Sequence, residues 1–228
     1  MSRYDSPAMC HDVRMFFDRI LVVAPHPDDE VIGCGGLLAR AHREGKETTV
    51  VVVAVEDDDR QKELEAAAIR LGVTNLASLW KKPFIDDLDD HTIVGRLDEM
   101  LDLYRPDLVL VPSLAGYHQE HRRVASLAVS AMRPGGGRSV GHAPASVWYY
   151  EAPADVSSPT GTSSPTITVS LTRDDLDAKI DAMRCHASQV RPSPSERSLD
   201  ALEALAILRG AQVGVPLGEA YASRRLIL

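Results

Sequence analysis

Two short stretches hold residue types that could do chemistry together. The first is Pro25-His26-Pro27-Asp28-Asp29-Glu30, and the second is Tyr117-His118-Gln119-Glu120-His121. A histidine and carboxylates at this density suit a divalent metal. A catalytic zinc site takes three protein ligands from His, Asp or Glu and leaves a fourth position for water. His26, Asp29 and one histidine of the second pair would supply those three. Asp28, His118 and Glu120 would then transfer protons and orient the ligands. Imidazole and carboxylate also suit other divalent transition metals such as iron, cobalt or manganese, so ligand type alone does not select zinc. Each stretch has an ordinary explanation when taken singly: His-x-x-His as a solvated helix end, and the acidic string as a helix N-terminus that suits the macrodipole.

The case for one site comes from the elements that carry the two stretches. Arg19–Ala24 is an apolar run ending at the first stretch, and Asp107–Pro112 is another ending at Ser113, just before the second. Near-continuous apolar character marks strands covered on both faces. Between them the pattern predicts a helix from about Gly33 to Arg43, a strand Thr48–Val55, a helix Arg60–Leu71, a shorter strand Asn75–Trp80 and a helix His91–Tyr104. A further helix is expected from about His121 to Met132. This alternation gives a Rossmann-like α/β three-layer sandwich, with a mainly parallel sheet and helices on both faces. In such a sheet both stretches lie on the carboxyl edge of the strands, where ligands bind.

The rest of the chain reads as one unit over residues 1–228, with the parallel core at about 19–132 and further strands and helices at about 145–228. Strands are expected at Ser146–Glu151 and Thr166–Leu171, a helix from Thr172 to about Gln189, and a last helix Glu196–Arg209. Glu219–Leu228 reads as a final edge strand. Ala152–Pro165, rich in Pro, Ser, Thr and Gly, reads as a mobile loop.

Hydrophobic content of 44% is ordinary for a globular protein. A net charge of −8 without basic runs argues against nucleic-acid and anionic-membrane partners. Neutral or cationic small molecules remain. Cys10, Cys34 and Cys185 form no C-x-x-C pair, so no thiolate zinc site or disulfide framework is indicated. No signal-peptide core or bilayer-length apolar run is present, and a cytoplasmic location is the expectation. Gly33-Cys34-Gly35-Gly36 is not a dinucleotide fingerprint, because carboxylates occupy the place where pyrophosphate would sit. Those glycines instead suit close helix–sheet packing, with Cys34 a small buried residue rather than a nucleophile.

Ala24-Pro25-His26-Pro27-Asp28-Asp29-Glu30, Gly33-Cys34-Gly35-Gly36 and His118-x-x-His121 together resemble the PIG-L/LmbE-like family of zinc-dependent N-deacetylases. The likeness extends to Arg60–Val73, Val147–Glu151, Lys179–Gln189 and Glu219-Ala220-Tyr221. It implies His26, Asp29 and His121 as zinc ligands and Asp28 as general base. His118 would polarise the carbonyl or protonate the leaving amine, with a protonated ring stabilising the oxyanion. Arg60 would bind substrate, and Glu30 would support the loop by hydrogen bonding. The implied substrate is a small N-acetylated molecule of N-acetylglucosamine type; a thiol-conjugate amidase and a silent metal-binding module are the alternatives. Of the aromatic residues, Tyr117 has the best claim to the pocket, ahead of Trp80 and Trp148. The chain departs from the family in having Glu120 for aspartate, Gly116 for another aspartate and a short Glu56–Asp59 loop. Asp86 or Asp87 stands near a usual substrate-contacting aspartate. Oligomeric state is not legible, and a homo-oligomer stays open.

Overall fold

Three apolar strands set the frame. In the computed structural model, which describes residues 14–134, 142–157 and 165–227, these are β1 (Arg19–Ala24), β2 (Glu47–Val55) and β4 (Leu108–Pro112). Their side chains alternate between two cores. Ile20, Val22 and Ala24 face one, with Leu37, Leu38, Leu64, Leu176 and Leu202; Leu21 and Val23 face the other, with Ile93, Leu97 and Val124. The first core packs α1 (Asp29–Arg43), α2 (Asp58–Leu71), α5 (Arg173–Cys185) and α6 (Leu199–Val213). The second packs α3 (Asp90–Tyr104) and α4 (Gln119–Ala131). This is the expected three-layer α/β sandwich.

With β3 (Asn75–Lys81), β5 (Ser146–Tyr150), β6 (Ile167–Ser170) and β7 (Gly218–Leu226), the sheet has seven strands in the order β3-β2-β1-β4-β5-β7-β6. β1 to β5 run parallel, and β7 pairs antiparallel with both β5 and β6. Strand order reverses between β1 and β4, and a crevice opens outside the carboxyl ends at such a switch point. His26 follows β1 and His118 follows β4. No helix among the described residues is long and apolar enough to cross a membrane.

The closing strand departs from expectation. β7 is not an edge strand but lies between β5 and β6, leaving β6 outermost. Its start carries Glu219 and Tyr221, both buried. Glu219 accepts from the backbone N–H of Gly36 at 2.8 Å and Leu37 at 2.7 Å, from Lys179 Nζ at 2.5 Å and from the Tyr221 hydroxyl at 2.9 Å. Lys179 also donates to the Ile32 carbonyl at 2.8 Å. A buried ion pair is thus spliced into the hydrogen-bond ladder of α1. The glycines admit it: a Cβ on Gly35 would come 2.8 Å from Lys179 Cγ, and one on Gly36 3.0 Å from Glu219 Cδ. A Cβ on Gly33 would meet the Tyr150 ring at 2.2 Å. Burial pushes the Cys34 thiol well up, so it stays protonated.

Helix boundaries also moved; α6 runs Leu199–Val213 instead of Glu196–Arg209. α1 begins at Asp29 instead of about Gly33, which puts Asp29 and Glu30 in its first turn. α5 stops at Cys185, because the next residue, His186, turns inward to Glu30. Pro153–Ser157, within the stretch read as a loop, forms a 3-10 turn; residues 158–164, the 135–141 segment and the N-terminal thirteen, with Cys10, lie outside the described residues.

Removing one partner of a buried pair strands the other charge, at a cost of about 3–5 kcal/mol. Lys179→Met should therefore lower unfolding free energy in urea by about that amount. A loss below about 1 kcal/mol would show that the pair does not hold α1 to β7.

Candidate active site

The turn leaving β1 is bent sharply at Asp28. Its φ of 106° lies in the left-handed region, which costs a non-glycine residue about 1–3 kcal/mol and persists only where neighbours enforce it. Here they do. The Asp28 N–H donates to Glu30 Oε2 at 3.0 Å, and Glu30 Oε1 pairs with His186 Nε2 at 3.0 Å, both groups fully buried. Arg60 donates to the Pro27 carbonyl, and its other Nη reaches Glu63 Oε2 at 2.9 Å and Ser188 Oγ at 3.3 Å. Glu30 thus supports the loop by hydrogen bonding. Arg60 lines the cleft, but its guanidinium is bound to the protein and only 8% of the side chain is exposed.

His26, Asp29 and His121 converge. One ligand atom from each lies within 4.8 Å of the other two. Asp29 Oδ2 is the centre, 3.3 Å from His121 Nε2 and 3.7 Å from His26 Nδ1, and it also accepts the His26 N–H at 3.0 Å. The other face of His26 is held by Glu120: Nε2 lies 2.9 Å from Oε2. A carboxylate on the far nitrogen of a metal-binding histidine fixes its tautomer and raises its basicity. Glu120 Oε1 accepts the Ile85 N–H at 2.6 Å. The extra methylene thus lets one carboxylate grip His26 and the 81–90 loop together. Arg123 clamps that loop too, at the Ile85 and Leu88 carbonyls and at Asp90.

The charges fit a cation at the centre. Burial opposes ionisation of Asp29, yet His121 and His26 hold its pKa well below the usual carboxylate range. Desolvation works against protonation of His26 and His121, yet Asp29 raises both. The same carboxylate thus favours positive charge at both imidazoles, where a divalent metal would bring it. Asp28 is the opposite case. Burial and the adjacent Asp29 push its pKa up to about 7, against the pull of Arg197 and Arg60. Its Oδ2 is buried and has no hydrogen-bond partner among the described residues. His118 is exposed to the cleft, with its ring centroid 5.2 Å from that of His121 and 6.1 Å from that of His26. Partial desolvation and the neighbouring imidazoles push its pKa below the ordinary value.

The cleft has two lobes that share Asp29, His118, His121 and Arg197. One, about 270 Å³, is walled by Glu56, Arg60, Pro83, Phe84 and Asp86. The other, about 570 Å³, is walled by Ile32, Tyr117, the Ala152–Asp155 segment and Pro194. Tyr117 is 54% exposed there and its N–H donates to Asp155 Oδ1 at 3.0 Å. Asp155 Oδ1 would lie 3.5 Å from a Cβ on Gly116, so a carboxylate from the 3-10 turn comes close to where residue 116 could carry one. Trp148 is buried edge-on to Phe17, away from the cleft. Neither Trp80 nor Asp87 lines either lobe; Asp86 does.

Sequence reasoning missed Arg197, His186 and Asp155. His186 opens the His-x-Ser-Gln motif at the end of the Lys179–Gln189 stretch quoted for the resemblance, and that motif was the usable signal. Arg197 was read as part of the last helix, Glu196–Arg209, whereas α6 begins only at Leu199 and leaves it in the preceding turn, facing the cleft. In a zinc titration followed by calorimetry, wild-type protein should bind one ion, His121→Ala should lose it, and Glu120→Gln should weaken it about 10–100-fold. Unchanged affinity in Glu120→Gln would mean that its contact to His26 does not support the ligand.

Comparison with known proteins agrees with this geometry. Residues 21–132 match the family model described as PIG-L, GlcNAc-PI de-N-acetylase. No curated protein matches the sequence. A conserved protein from Thermus thermophilus is 27% identical, with a TM-score of 0.79 over 93% of this chain and 96% of that one. The N,N'-diacetylchitobiose deacetylase of Pyrococcus horikoshii is 24% identical, with a TM-score of 0.74 over 91% of this chain and 84% of that one. The 4-carboxy-2-hydroxymuconate hydratase GalB of Pseudomonas putida KT2440 shares the fold at 20% identity, with a TM-score of 0.74 over 92% and 98%. The matched segment runs from β1 to the end of α4 and contains both strand-end motifs, His26 to Glu30 and His118 to His121. The chain carries a PIG-L family domain.

Proposed function

We propose that this protein is a zinc-dependent N-deacetylase that hydrolyses the acetamide of a small N-acetylated molecule, of N-acetylglucosamine type. One observation carries the reading: the buried Oδ2 of Asp28, with no hydrogen-bond partner among the described residues, stands beside the His26, Asp29 and His121 cluster. The family match and the diacetylchitobiose deacetylase likeness support the reaction class. The donor set of two imidazoles and one carboxylate fits zinc. When bound, zinc supplies Lewis-acid polarisation and lowers the pKa of water to about 7.

The chain's own groups divide the remaining work. Asp28 Oδ2 takes the proton of the attacking water as its oxygen bonds to the carbonyl carbon. A pKa of about 7 suits a base that must give the proton back. His118, facing the cleft, donates its ring N–H to the developing oxyanion, a contribution worth about 3–4 kcal/mol for one well-aimed donor. The carbon–nitrogen bond then breaks, Asp28 returns the proton to the amine, and acetate and free amine leave. Asp29 cannot exchange these roles, since His26 and His121 keep it ionised. Tyr117 and Phe84, both more than half exposed, offer one aromatic face in each lobe for the substrate body.

The same fold serves deacetylases and a hydratase, so the reaction needs a direct test. Zinc-loaded protein should release acetate from at least one member of a panel of N-acetyl sugars, sugar nucleotides and thiol-conjugate amides. Asp28→Asn should keep the metal and lose about 10²-fold or more in turnover. Wild-type acetate release by Asp28→Asn would remove Asp28 from the chemistry. Bound metal with no hydrolysis of any panel member would favour a silent module.

A further inference from the structure

We propose that Arg197 forms an anion-recognition subsite in the cleft, so that the substrate carries a carboxylate or phosphate next to its scissile amide. The proposal rests on the amidohydrolase reading for the word amide, and on geometry for the rest. Arg60 and Arg197 are the cationic side chains on the described walls of the two lobes. Arg60 is buried and committed to Pro27, Glu63 and Ser188. Arg197 is different: its side chain is 43% exposed and lines both lobes.

Its mounting is firm while its donors stay available. The Arg197 N–H donates to Ser195 Oγ at 3.2 Å, its carbonyl accepts from Arg191 at 3.3 Å, and the next residue, Ser198, caps α6. On the guanidinium, Nη1 donates to Gln189 Oε1 at 2.6 Å, while Nε and Nη2 meet no acceptor among the described residues. Asp28 Oδ2 is 4.0 Å from Nη1, at the limit of an ion pair and too far for a hydrogen bond. A fixed planar fork with unused donors matches the two oxygens of a carboxylate or phosphate.

The other charged groups fix where an anion can sit. Glu56 and Asp86 wall one lobe, and Asp155 and Glu196 the other. An anionic group would be repelled by those carboxylates and accepted at Arg197. Since Nη1 is near the Asp28 oxygen assigned to the attacking water, the anion belongs on the part of the substrate adjoining the amide, not at a distant end.

The test needs binding, not turnover. Zinc-loaded Asp28→Asn protein is titrated by calorimetry with two matched pairs: N-acetylglycine against its primary amide, and N-acetylglucosamine 1-phosphate against N-acetylglucosamine. The anionic member of at least one pair should bind about tenfold tighter or more, and the pair that shows it separates carboxylate from phosphate. Adding Arg197→Met should bring that ratio close to one, with zinc stoichiometry and the melting curve confirming an intact fold; Arg197→Gln should do the same, and Arg197→Lys should keep part of the preference. Absence of preference in both pairs would overturn the proposal, and so would a preference that survives Arg197→Met and Arg197→Gln, which would place the anion on the metal. An Arg197-dependent preference without amide hydrolysis by the wild type would uphold the subsite and sink the reaction. Hydrolysis without the preference would do the reverse.

Discussion

Asp28 is held in a backbone conformation it would not adopt alone, and side chains from α1, α2, the end of α5 and β7 contribute to holding it there. Its N–H is fixed by Glu30, which is fixed by His186 at the end of α5. The preceding carbonyl is fixed by Arg60, which is tied through Glu63 to Ser188 just beyond the same helix. The helix that begins at Asp29 is itself clamped by Lys179 and Glu219. A strain of about 1–3 kcal/mol in one residue is thus met by contacts from α2, α5 and β7. This gives α5 and β7 a physical role: they brace the turn after β1.

The bracing separates two adjacent carboxylates that have the same intrinsic chemistry. Asp29, between two imidazoles, stays ionised. Asp28, buried and next to that charge, is pushed to about 7. Environments that drive paired titratable groups apart assign one to charge and the other to proton transfer. Glu120 adds a link to this division. It orients His26 from behind and holds the 81–90 loop at Ile85, so the wall of one lobe and a candidate metal ligand share a single side chain.

How much of this was legible depended on whether a residue's role was local. The runs Ile20–Ala24, Thr48–Val55 and Leu108–Val111 are apolar because both faces are covered, and they appear as the central strands. Strand ends locate the edge of a parallel sheet, so His26 and the His118-x-x-His121 pair could be brought together from sequence, while the choice of His121 as ligand came from the resemblance. Long-range partners were not legible. Nothing within Glu219–Leu226 tells an edge strand from an inner one, because its neighbour β5 is some seventy residues away and the ion pair that buries Glu219 is made with α1 and α5. The helical pattern through His186 looked continuous, since only the distant Glu30 explains why that residue turns inward. Glu120 read as a departure because one extra methylene matters only once Ile85 is known to lie within its reach.

The central claim is that His26, Asp29 and His121 bind one metal ion beside a base that does not bind it. Anomalous diffraction from zinc-loaded crystals tests this most directly. The account predicts a single strong zinc peak ligated by His26 Nδ1, His121 Nε2 and Asp29 at about 2.0–2.2 Å, with His26 Nε2 still on Glu120 and Asp28 outside the coordination sphere. A peak elsewhere, or one ligated by Asp28 or by His26 Nε2, would contradict it.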